Sequence, residues 1–408
     1  MQYIKRSLER KFLRMNGFFK AILVTGARQV GKTTMLRQLA AGEERTYVTM
    51  DNAMARMLAK TDPVLFFQTY KPPMIIDEIQ KAPELFEQIK IICDNSEERG
   101  LFWLTGSQQY SMMGSVRETL AGRIGILTMY SLSKNEIDGI EFADELDFSL
   151  PALLKRQSEA KKNDVMDVFE HIWRGGMPDV LLADEELRQE YFNSYIETYL
   201  MRDVTESGGI TDTVRFRKFI NACAALIAQQ VNYKILAEAA EISQPTAKEW
   251  LRILEGLGII YLLQPYANNE LKRLTKKPKL YFLDTGLCAY LSMWLTRDAL
   301  LHGAASGHYF ENYVVAELLK NYAYASTKAN LYYYRDSNAK EIDLVVENNN
   351  ELHPLEIKKS ANPDRREIKK FSLLDKTNLQ RSYGGLICMS EEVVPIDEKN
   401  WYIPCNLI

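Results

Sequence analysis

Five short apolar runs punctuate the first third of the chain: Ala21-Ile-Leu-Val-Thr25, Thr46-Tyr-Val-Thr-Met50, Met74-Ile-Ile76, Leu101-Phe-Trp-Leu-Thr105 and Ile124-Gly-Ile-Leu-Thr128. Each is too short for a helix and apolar on both faces, which predicts buried strands. Helical composition fills the gaps between them, so an α/β fold is expected, a parallel sheet with helices on both faces. From Ser131 to about Asp164 the pattern dissolves into charged, irregular text and reads as a domain edge. Tyr191, Tyr195 and Tyr199 then recur every fourth residue, a stripe that predicts a packed helix face. Helical periodicity follows over 214–229, 233–242 and 245–256, the last with Pro245 at its start. Strand-like segments lie at 258–264 and 278–283, and from Gly303 helix and strand patterns mix.

Between the first apolar run and the helix-forming stretch Thr34-Met-Leu-Arg-Gln-Leu-Ala40 stands Gly26-Ala27-Arg28-Gln29-Val30-Gly31-Lys32-Thr33. This is a complete GxxxxGK[ST] in the strand–loop–helix context that the P-loop motif requires. Its glycines let backbone N–H groups turn inward around phosphates, and the following helix adds the positive end of its dipole. The loop, with Thr34, is the expected nucleotide-binding segment. Lys32 is expected to reach the β- and γ-phosphates, and Thr33 to place its hydroxyl on Mg²⁺.

A second apolar run, Pro73-Met-Ile-Ile-Asp77-Glu78, ends in two carboxylates. Asp77 is assigned to Mg²⁺ through water, and Glu78 to orienting and deprotonating the attacking water. An acid beside the metal-binding Asp is the arrangement of ATP-hydrolysing AAA-like enzymes. No base-reading NKxD occurs, so ATP is the expected nucleotide. Ser107, just past the fourth run, is a candidate γ-phosphate sensor. Arg123, closing Ser115-Val-Arg-Glu-Thr-Leu-Ala-Gly-Arg123, is a candidate for stabilising transition-state charge in the same or a neighbouring subunit of a homo-oligomer. Arg28 is the second candidate for that role.

The three helical patterns and two strands at 213–290 read as a winged helix. Glu241-Ile-Ser-Gln-Pro-Thr246 supplies the turn of a helix-turn-helix. The third helix offers Lys248, Trp250 and Arg252 beside Glu249 and Glu255. The hairpin tip Glu270-Leu-Lys-Arg-Leu-Thr-Lys-Lys-Pro-Lys279 carries five basic residues and one acid, a surface for duplex DNA phosphates. With 51 Lys+Arg against 54 Asp+Glu the whole chain is slightly acidic, so nucleic-acid binding must come from such a local patch.

Near the C-terminus, Glu341-Ile-Asp343-Leu-Val-Val346 and Leu355-Glu356-Ile-Lys358 flank Asn348-Asn-Asn350 and read as a hairpin. A turn centred between Asn349 and Asn350 places Asp343 opposite Glu356. Lys358 then shares their face, while Ile342, Leu344 and Val346 face the other way. One residue of slip would separate the two acids. Two facing carboxylates with a lysine two residues on form a nuclease site of the D…ExK type. The acids would hold Mg²⁺ and the lysine would orient water. Glu311, on the helix upstream, is expected to add a third carboxylate, with Glu317 in reserve.

No apolar stretch approaches the length of a membrane span; the longest clean one is Ala222-Cys-Ala-Ala-Leu-Ile-Ala228. The basic N-terminal residues lack the apolar run of a signal peptide. Five scattered cysteines without a CxxC pair read as reduced thiols of a cytoplasmic protein.

Together these residues resemble a prokaryotic family of AAA-like ATP-binding proteins whose C-terminal domain of unknown function looks like a restriction-endonuclease-like fold. The resemblance rests on Thr25-Gly-Ala-Arg-Gln-Val-Gly-Lys-Thr-Thr34, Ile76-Asp-Glu78, Leu104-Thr-Gly-Ser107, Leu120-Ala-Gly-Arg123 and Arg174-Gly-Gly-Met-Pro178. It continues through Arg202-Asp203, Pro278-Lys-Leu-Tyr-Phe-Leu-Asp284-Thr-Gly286, Phe310-Glu-Asn312, Glu341-Ile-Asp343 and Glu356-Ile-Lys-Lys-Ser360. The implied layout is a P-loop ATPase domain at 1–135 and a helical connector or lid at 136–212. A winged helix at 213–290 and a small α/β nuclease-like domain at 300–408 follow. Two function classes fit. One is an ATP-driven DNA-processing enzyme with a Mg²⁺-dependent nuclease. The other is an ATP-dependent switch whose C-terminal domains bind DNA or a protein without cutting.

Overall fold

A computed structural model describes residues 3–106, 119–142, 145–206, 208–268 and 277–408. The five apolar runs form β1 (Ala21–Thr25), β2 (Thr46–Thr49), β3 (Met74–Asp77), β4 (Phe102–Gly106) and β5 (Ile124–Thr128). All pair in parallel, in the order β2-β3-β4-β1-β5. β1, β3 and β4 are buried along their whole length, as central strands must be when helices cover both faces.

Strand alternation sorts the side chains of this sheet into two cores. Ala21, Leu23, Ile76 and Leu104 pack beneath the helices Ala53–Thr61, Pro63–Thr69 and Leu85–Asp94. Ile22, Val24, Ile75 and Trp103 join the helix Leu8–Asn16 on the other face. That second core runs without a break into the middle and C-terminal segments, so the sheet is tied to the rest of the chain by one apolar body.

The middle is helical, with Val165–Arg174, Glu185–Tyr195 and Met201–Glu206 followed by Thr213–Ala225, Tyr233–Ala240 and Gln244–Gly256. Between the last two, Glu241 turns the chain at φ 55°, and Ser243 accepts from Thr246 N at 3.2 Å to start the next helix. β6 (Ile260–Leu263) and β7 (Lys279–Phe282) then pair antiparallel. Trp250, expected on the DNA-reading face, is instead buried edge-on against Phe216 and Phe219. The helical period places it with Ala247, Leu251 and Leu254 on the inner stripe, leaving Lys248, Glu249 and Arg252 exposed. Lys272, Arg273 and Lys276 of the basic tip lie outside the described residues.

In the C-terminal segment the helix Ser306–Tyr324 packs on a mixed sheet. β8 (Asn330–Arg335), β9 (Glu341–Asn348) and β10 (Glu351–Ile357) are antiparallel, and β12 (Gly384–Cys388) and β14 (Asn400–Pro404) continue parallel to β10. β11 (Gln380–Arg381) and β13 (Val394–Pro395) pair with β10 and β14. No described helix is long and apolar enough to cross a membrane, and all five cysteines are free and buried.

Several motifs of the middle segment fasten backbone to backbone. Asp284 accepts from Leu287 N at 3.0 Å, capping one helix, and from Gly176 N at 2.9 Å. A Cβ on Gly286 would fall 2.2 Å from the Arg174 carbonyl oxygen, so that approach admits only glycine. Asn312 donates to the Phe282 carbonyl at 2.8 Å and accepts from its amide at 2.7 Å, completing the outer edge of β7. Asn312→Ala would leave two buried backbone groups unpaired and should lower unfolding stability by about 2 kcal/mol or more, read from urea denaturation.

Candidate functional site

The phosphate loop leaves β1 through Gly26 at φ 141° and enters the helix Lys32–Leu39 through Gly31 at φ 97°. Gln29 also takes a left-handed φ of 59°, and its side-chain oxygen accepts from Tyr191 Oη at 2.6 Å. Lys32 Nζ is buried and donates to the Gly26 and Ala27 carbonyls at 3.0 and 2.7 Å. Burial pushes this ammonium down to about 8, outweighing the support it receives from Glu78, Asp77 and Asp203. Thr34, the next-but-one residue, is exposed.

The first turn of the helix Lys32–Leu39 and the end of β4 meet the end of β3 at one carboxylate oxygen. Asp77 Oδ1 accepts from Thr33 Oγ1 at 2.6 Å and from Thr105 Oγ1 at 2.5 Å, while its Oδ2 accepts from Tyr47 Oη at 3.2 Å. Glu78 leaves the strand at φ 57°, with its amide on Thr105 Oγ1 at 3.0 Å and its Oε2 accepting from Gln80 Nε2 at 2.6 Å. All of this lies at the carboxyl ends of parallel strands, where open α/β sheets bind ligands. A hydroxyl beside a carboxylate fits Mg²⁺, and the inward loop with Lys32 fits a polyphosphate. Ser107 lies outside the described residues.

The middle of the chain closes over this loop. Arg28 Nε and Nη2 donate to the two oxygens of Asp203 at 2.7 and 2.8 Å, and Arg28 Nη1 lies 3.7 Å from Glu78 Oε2. Tyr199 places its ring 5.7 Å from the Arg28 guanidinium. The tyrosine stripe therefore packs, as its period indicates, but part of what it packs against is the phosphate loop. Positions four apart drift about 40° around a regular helix. The wide π turn Ile196–Leu200 counters that drift and keeps Tyr191, Tyr199 and Asp203 on the loop side. Arg6 supports the loop from beneath, donating to Val30 O at 2.8 Å and Tyr130 O at 2.7 Å. A cavity of about 160 Å³ adjoins Gly26, Ala27 and Val30 and is lined on another side by Glu255 and Gly258 of the middle segment. Neither Arg6 nor the tyrosines carried a sequence signal for this role, because nothing local marks a contact made across the fold.

Arg123, expected to act in the same or a neighbouring subunit, is not brought to the loop of its own chain. It directly precedes β5 and its carbonyl accepts from Ala21 N at 3.2 Å, at the amino end of β1. The loop is at the other end, roughly 17 Å of strand away. Its guanidinium pairs with exposed Asp94 at 2.5 Å. Action on a phosphate by Arg123 requires a second copy of the chain.

The C-terminal acids meet as the turn arithmetic implies. Asn349 and Asn350 take φ of 49° and 63°, the two-residue turn of a tight hairpin. Pairing runs from Glu351 opposite Asn348 to Leu355 opposite Leu344, and the next rung sets Glu356 against Asp343. Lys358 Nζ lies 2.5 Å from Glu356 Oε1 and 3.4 Å from Asp343 Oδ2. The expected alternation breaks on the neighbouring side. Tyr332 faces Val345 and Tyr334 faces Ile342, a bulge that leaves Asp343 and Leu344 opposite Tyr333. Ile342 consequently joins Val345 in one core, apart from Leu344 and Val346.

Two further lysines enter this cluster. Lys370 reaches Glu356 Oε1 at 2.5 Å, and buried Lys279 reaches Glu311 at 3.0 Å and Glu341 at 2.6 Å. Lys279 was expected among the exposed wing cations; it is the first residue of β7 and points inward. Glu311 also accepts from Tyr281 Oη at 2.7 Å. Glu317 serves elsewhere, accepting from Lys134 N at 2.9 Å and Lys320 Nζ at 2.8 Å. Burial and the charge of Asp343 push Glu311 and Glu356 upward. Burial acts the same way on Asp343, but Lys358 and Lys279 outweigh it and hold that carboxyl low. Glu356 Oε2 is buried without an N–H or O–H donor, while its Oε1 meets both Lys358 and Lys370. Three lysines already compensate these acids, and no group of three or more His, Cys, Asp or Glu among the described residues is arranged to hold a metal. Asp343 and Glu356 face each other with Lys358 beside both, as expected, and Lys279 and Lys370 are the cations not expected there.

Comparison with known proteins divides the chain into three. Residues 18–138 match an AAA domain, residues 165–298 a domain of unknown function (DUF8612), and residues 306–408 another domain of unknown function (DUF4143). An uncharacterized protein of Mycobacterium tuberculosis is 27% identical over 390 residues, covering 95% of this chain and 80% of that one. An uncharacterized protein of Haemophilus influenzae is 25% identical over 351 residues, covering 81% of this chain and 80% of its own. Among solved structures, the Walker-type ATPase of Pyrococcus abyssi aligns at 14% identity and a TM-score of 0.46, over 71% of this chain and 96% of that one. The phosphate loop thus lies in a segment that matches an AAA domain, and two segments that match domains of unknown function follow it.

The lowered Lys32 has a measurable consequence. Below pH 8 the ammonium is already charged, so nucleotide affinity should be flat there. Above pH 8 binding must take up a proton, and affinity should fall by up to about tenfold per pH unit. Calorimetry in buffers of different ionisation enthalpy checks this. In Lys32→Arg, which stays charged, the dependence should vanish.

Proposed function

We propose that the chain is an Mg²⁺-dependent ATPase that works as a nucleotide-controlled switch acting on DNA. The observation that supports hydrolysis, beyond binding, is the shared Asp77 oxygen. Thr33 and Thr105 converge on it, and Glu78 turns out of the same strand end beside it. Bound Mg²⁺ supplies charge neutralisation for the β- and γ-phosphates, and Thr33 and Asp77 are the residues to hold it. Lys32 gives up the Gly26 and Ala27 carbonyls for phosphate oxygens. Glu78 orients a water and accepts its proton as the oxygen bonds to the γ-phosphorus. The bond to the β–γ bridging oxygen breaks, and ADP and inorganic phosphate leave.

Lys32→Ala should lose ATP binding. Glu78→Gln should keep binding and lose about 10²-fold or more in turnover. Undiminished turnover in Glu78→Gln would move the base elsewhere.

For DNA, the support is the exposed face of the helix Gln244–Gly256 together with the basic sequence of the hairpin tip. In this reading the C-terminal acid–lysine cluster clasps the base of that hairpin to the mixed sheet through Lys279, and does not cut. Neutralising Lys272, Arg273, Lys276 and Lys277 together should weaken duplex binding. It should also flatten the salt slope by up to about 0.9 per lost contact. The nuclease reading draws on the facing Asp343, Glu356 and Lys358. Nicking of supercoiled plasmid by the wild type with Mg²⁺ and ATP, lost in Lys358→Ala, would favour it over the switch.

A further inference from the structure

Arg28 makes contacts that phosphate cradling alone does not call for. Two of its nitrogens meet both oxygens of Asp203, at 2.7 and 2.8 Å, in the planar fork that an arginine forms with a carboxylate. Its third nitrogen faces Glu78 Oε2 at 3.7 Å. The guanidinium thus stands between the carboxylate assigned to the attacking water and a carboxylate from the helical middle. Both members of the pair are sheltered, with side chains 12% and 7% exposed. The neighbouring loop residue, Gln29, is held by Tyr191 of the same helical run. A polyphosphate held by Lys32, with Mg²⁺ at Thr33 and Asp77, would turn its terminal phosphoryl toward Glu78, the residue proposed to orient the water. Arg28 is the cation already there.

We propose that Arg28 stabilises the charge developing on the transferred phosphoryl group, and that Asp203 is a positioning residue that withholds it until nucleotide binds. The proposal deepens the ATPase reading and rests on it. Arg28 changes no covalent bond: the electron pair of the broken Pγ–O bond leaves with ADP, and the water proton passes through Glu78. Arg28 exchanges one anionic partner for another, Asp203 for the phosphoryl oxygens. The exchange leaves Asp203 without its cation, so the helix Met201–Glu206 that carries it must shift or find a new donor. The π turn directly before that helix is a place where it can change register. The same side chain that completes the catalytic site thereby reports its occupancy to the middle of the chain.

The test uses the full-length protein with ATP, ADP and ADP·aluminium fluoride as probes. Wild type, Arg28→Ala, Arg28→Lys and Asp203→Asn are compared for turnover and for the affinity of each probe. Arg28→Ala should lower kcat by about 10³-fold with ATP affinity within about threefold, and should lose the preference for ADP·aluminium fluoride over ADP. Arg28→Lys should recover part of both. Asp203→Asn should raise kcat several-fold and tighten ADP·aluminium fluoride with ADP affinity unchanged, a split that damage to the fold would not produce. If Arg28→Ala turns over within threefold of wild type, the assignment of Arg28 is overturned. If Asp203→Asn loses kcat as Arg28→Ala does, Asp203 supports the loop and withholds nothing. Absence of hydrolysis in the wild type would overturn the ATPase reading itself, a different result from either.

Discussion

A charge taken out of water gains from a partner inside, and at three places this chain supplies that partner from far away in sequence. An uncompensated buried ion costs several kcal/mol. Here Arg28 of the phosphate loop is completed by Asp203 of the middle, Arg6 of the N-terminus by Glu136 at 3.2 Å, and Lys279 of the hairpin by Glu311 and Glu341 of the C-terminal segment. Each contact is specific because half of it would be a liability. The apolar core common to all three segments supplies the bulk of the attraction, but apolar surfaces slide and repack at small cost. The ion pairs fix where the segments stop sliding.

What could be read from the sequence divides along the same line. The phosphate loop was legible because its glycines, Lys32 and Thr33 act within one strand–loop–helix unit, and Asp77 and Glu78 because they end an apolar run. The facing of Asp343 and Glu356 was legible for a similar reason. A two-residue turn fixes the register of its hairpin, and of the placements open to Asn348-Asn349-Asn350 the structure takes the one at Asn349 and Asn350 that sets the two acids opposite. The roles of Arg6, Tyr191 and Asp203 were not legible. Their partners lie far away in sequence, and a helical period of tyrosines looks the same whether it packs against leucine or against a phosphate loop.

The misplaced residues show the complementary limit. Trp250 and Lys279 were assigned by the company they keep in sequence, an exposed helix and a basic tip. Burial overrode both, because the helical period turned Trp250 inward and the pairing of β7 put Lys279 beside Glu311. The same lysine changes the chemistry of the C-terminal cluster. A metal needs acids that are free to coordinate, and every cation that approaches them first, whether Lys279, Lys358 or Lys370, lowers what a metal would gain. In this structure the lysines give the carboxylates a joining task as well, because Lys279 ties the base of the hairpin to Glu311 and Glu341.

The two charge clusters differ in a way that bears on switching. A ligand shifts a conformational equilibrium only by its differential affinity for the two states. At the C-terminal cluster four carboxylates share three lysines, so loss of one contact is buffered by the others and the joint favours permanence. At the loop the Arg28–Asp203 pair stands nearly alone, and the phosphate group of a bound nucleotide offers Arg28 an equivalent anion. Exchange of partners, unlike rupture, lets the two states lie close in energy, and a fold can then be moved between them by a single phosphoryl group. The two joints take different residues of the middle segment, Asp203 for the loop and Lys279 for the C-terminal cluster. On the proposed exchange of partners, a change at the loop would move the middle, while the C-terminal joint, with its several shared contacts, would resist.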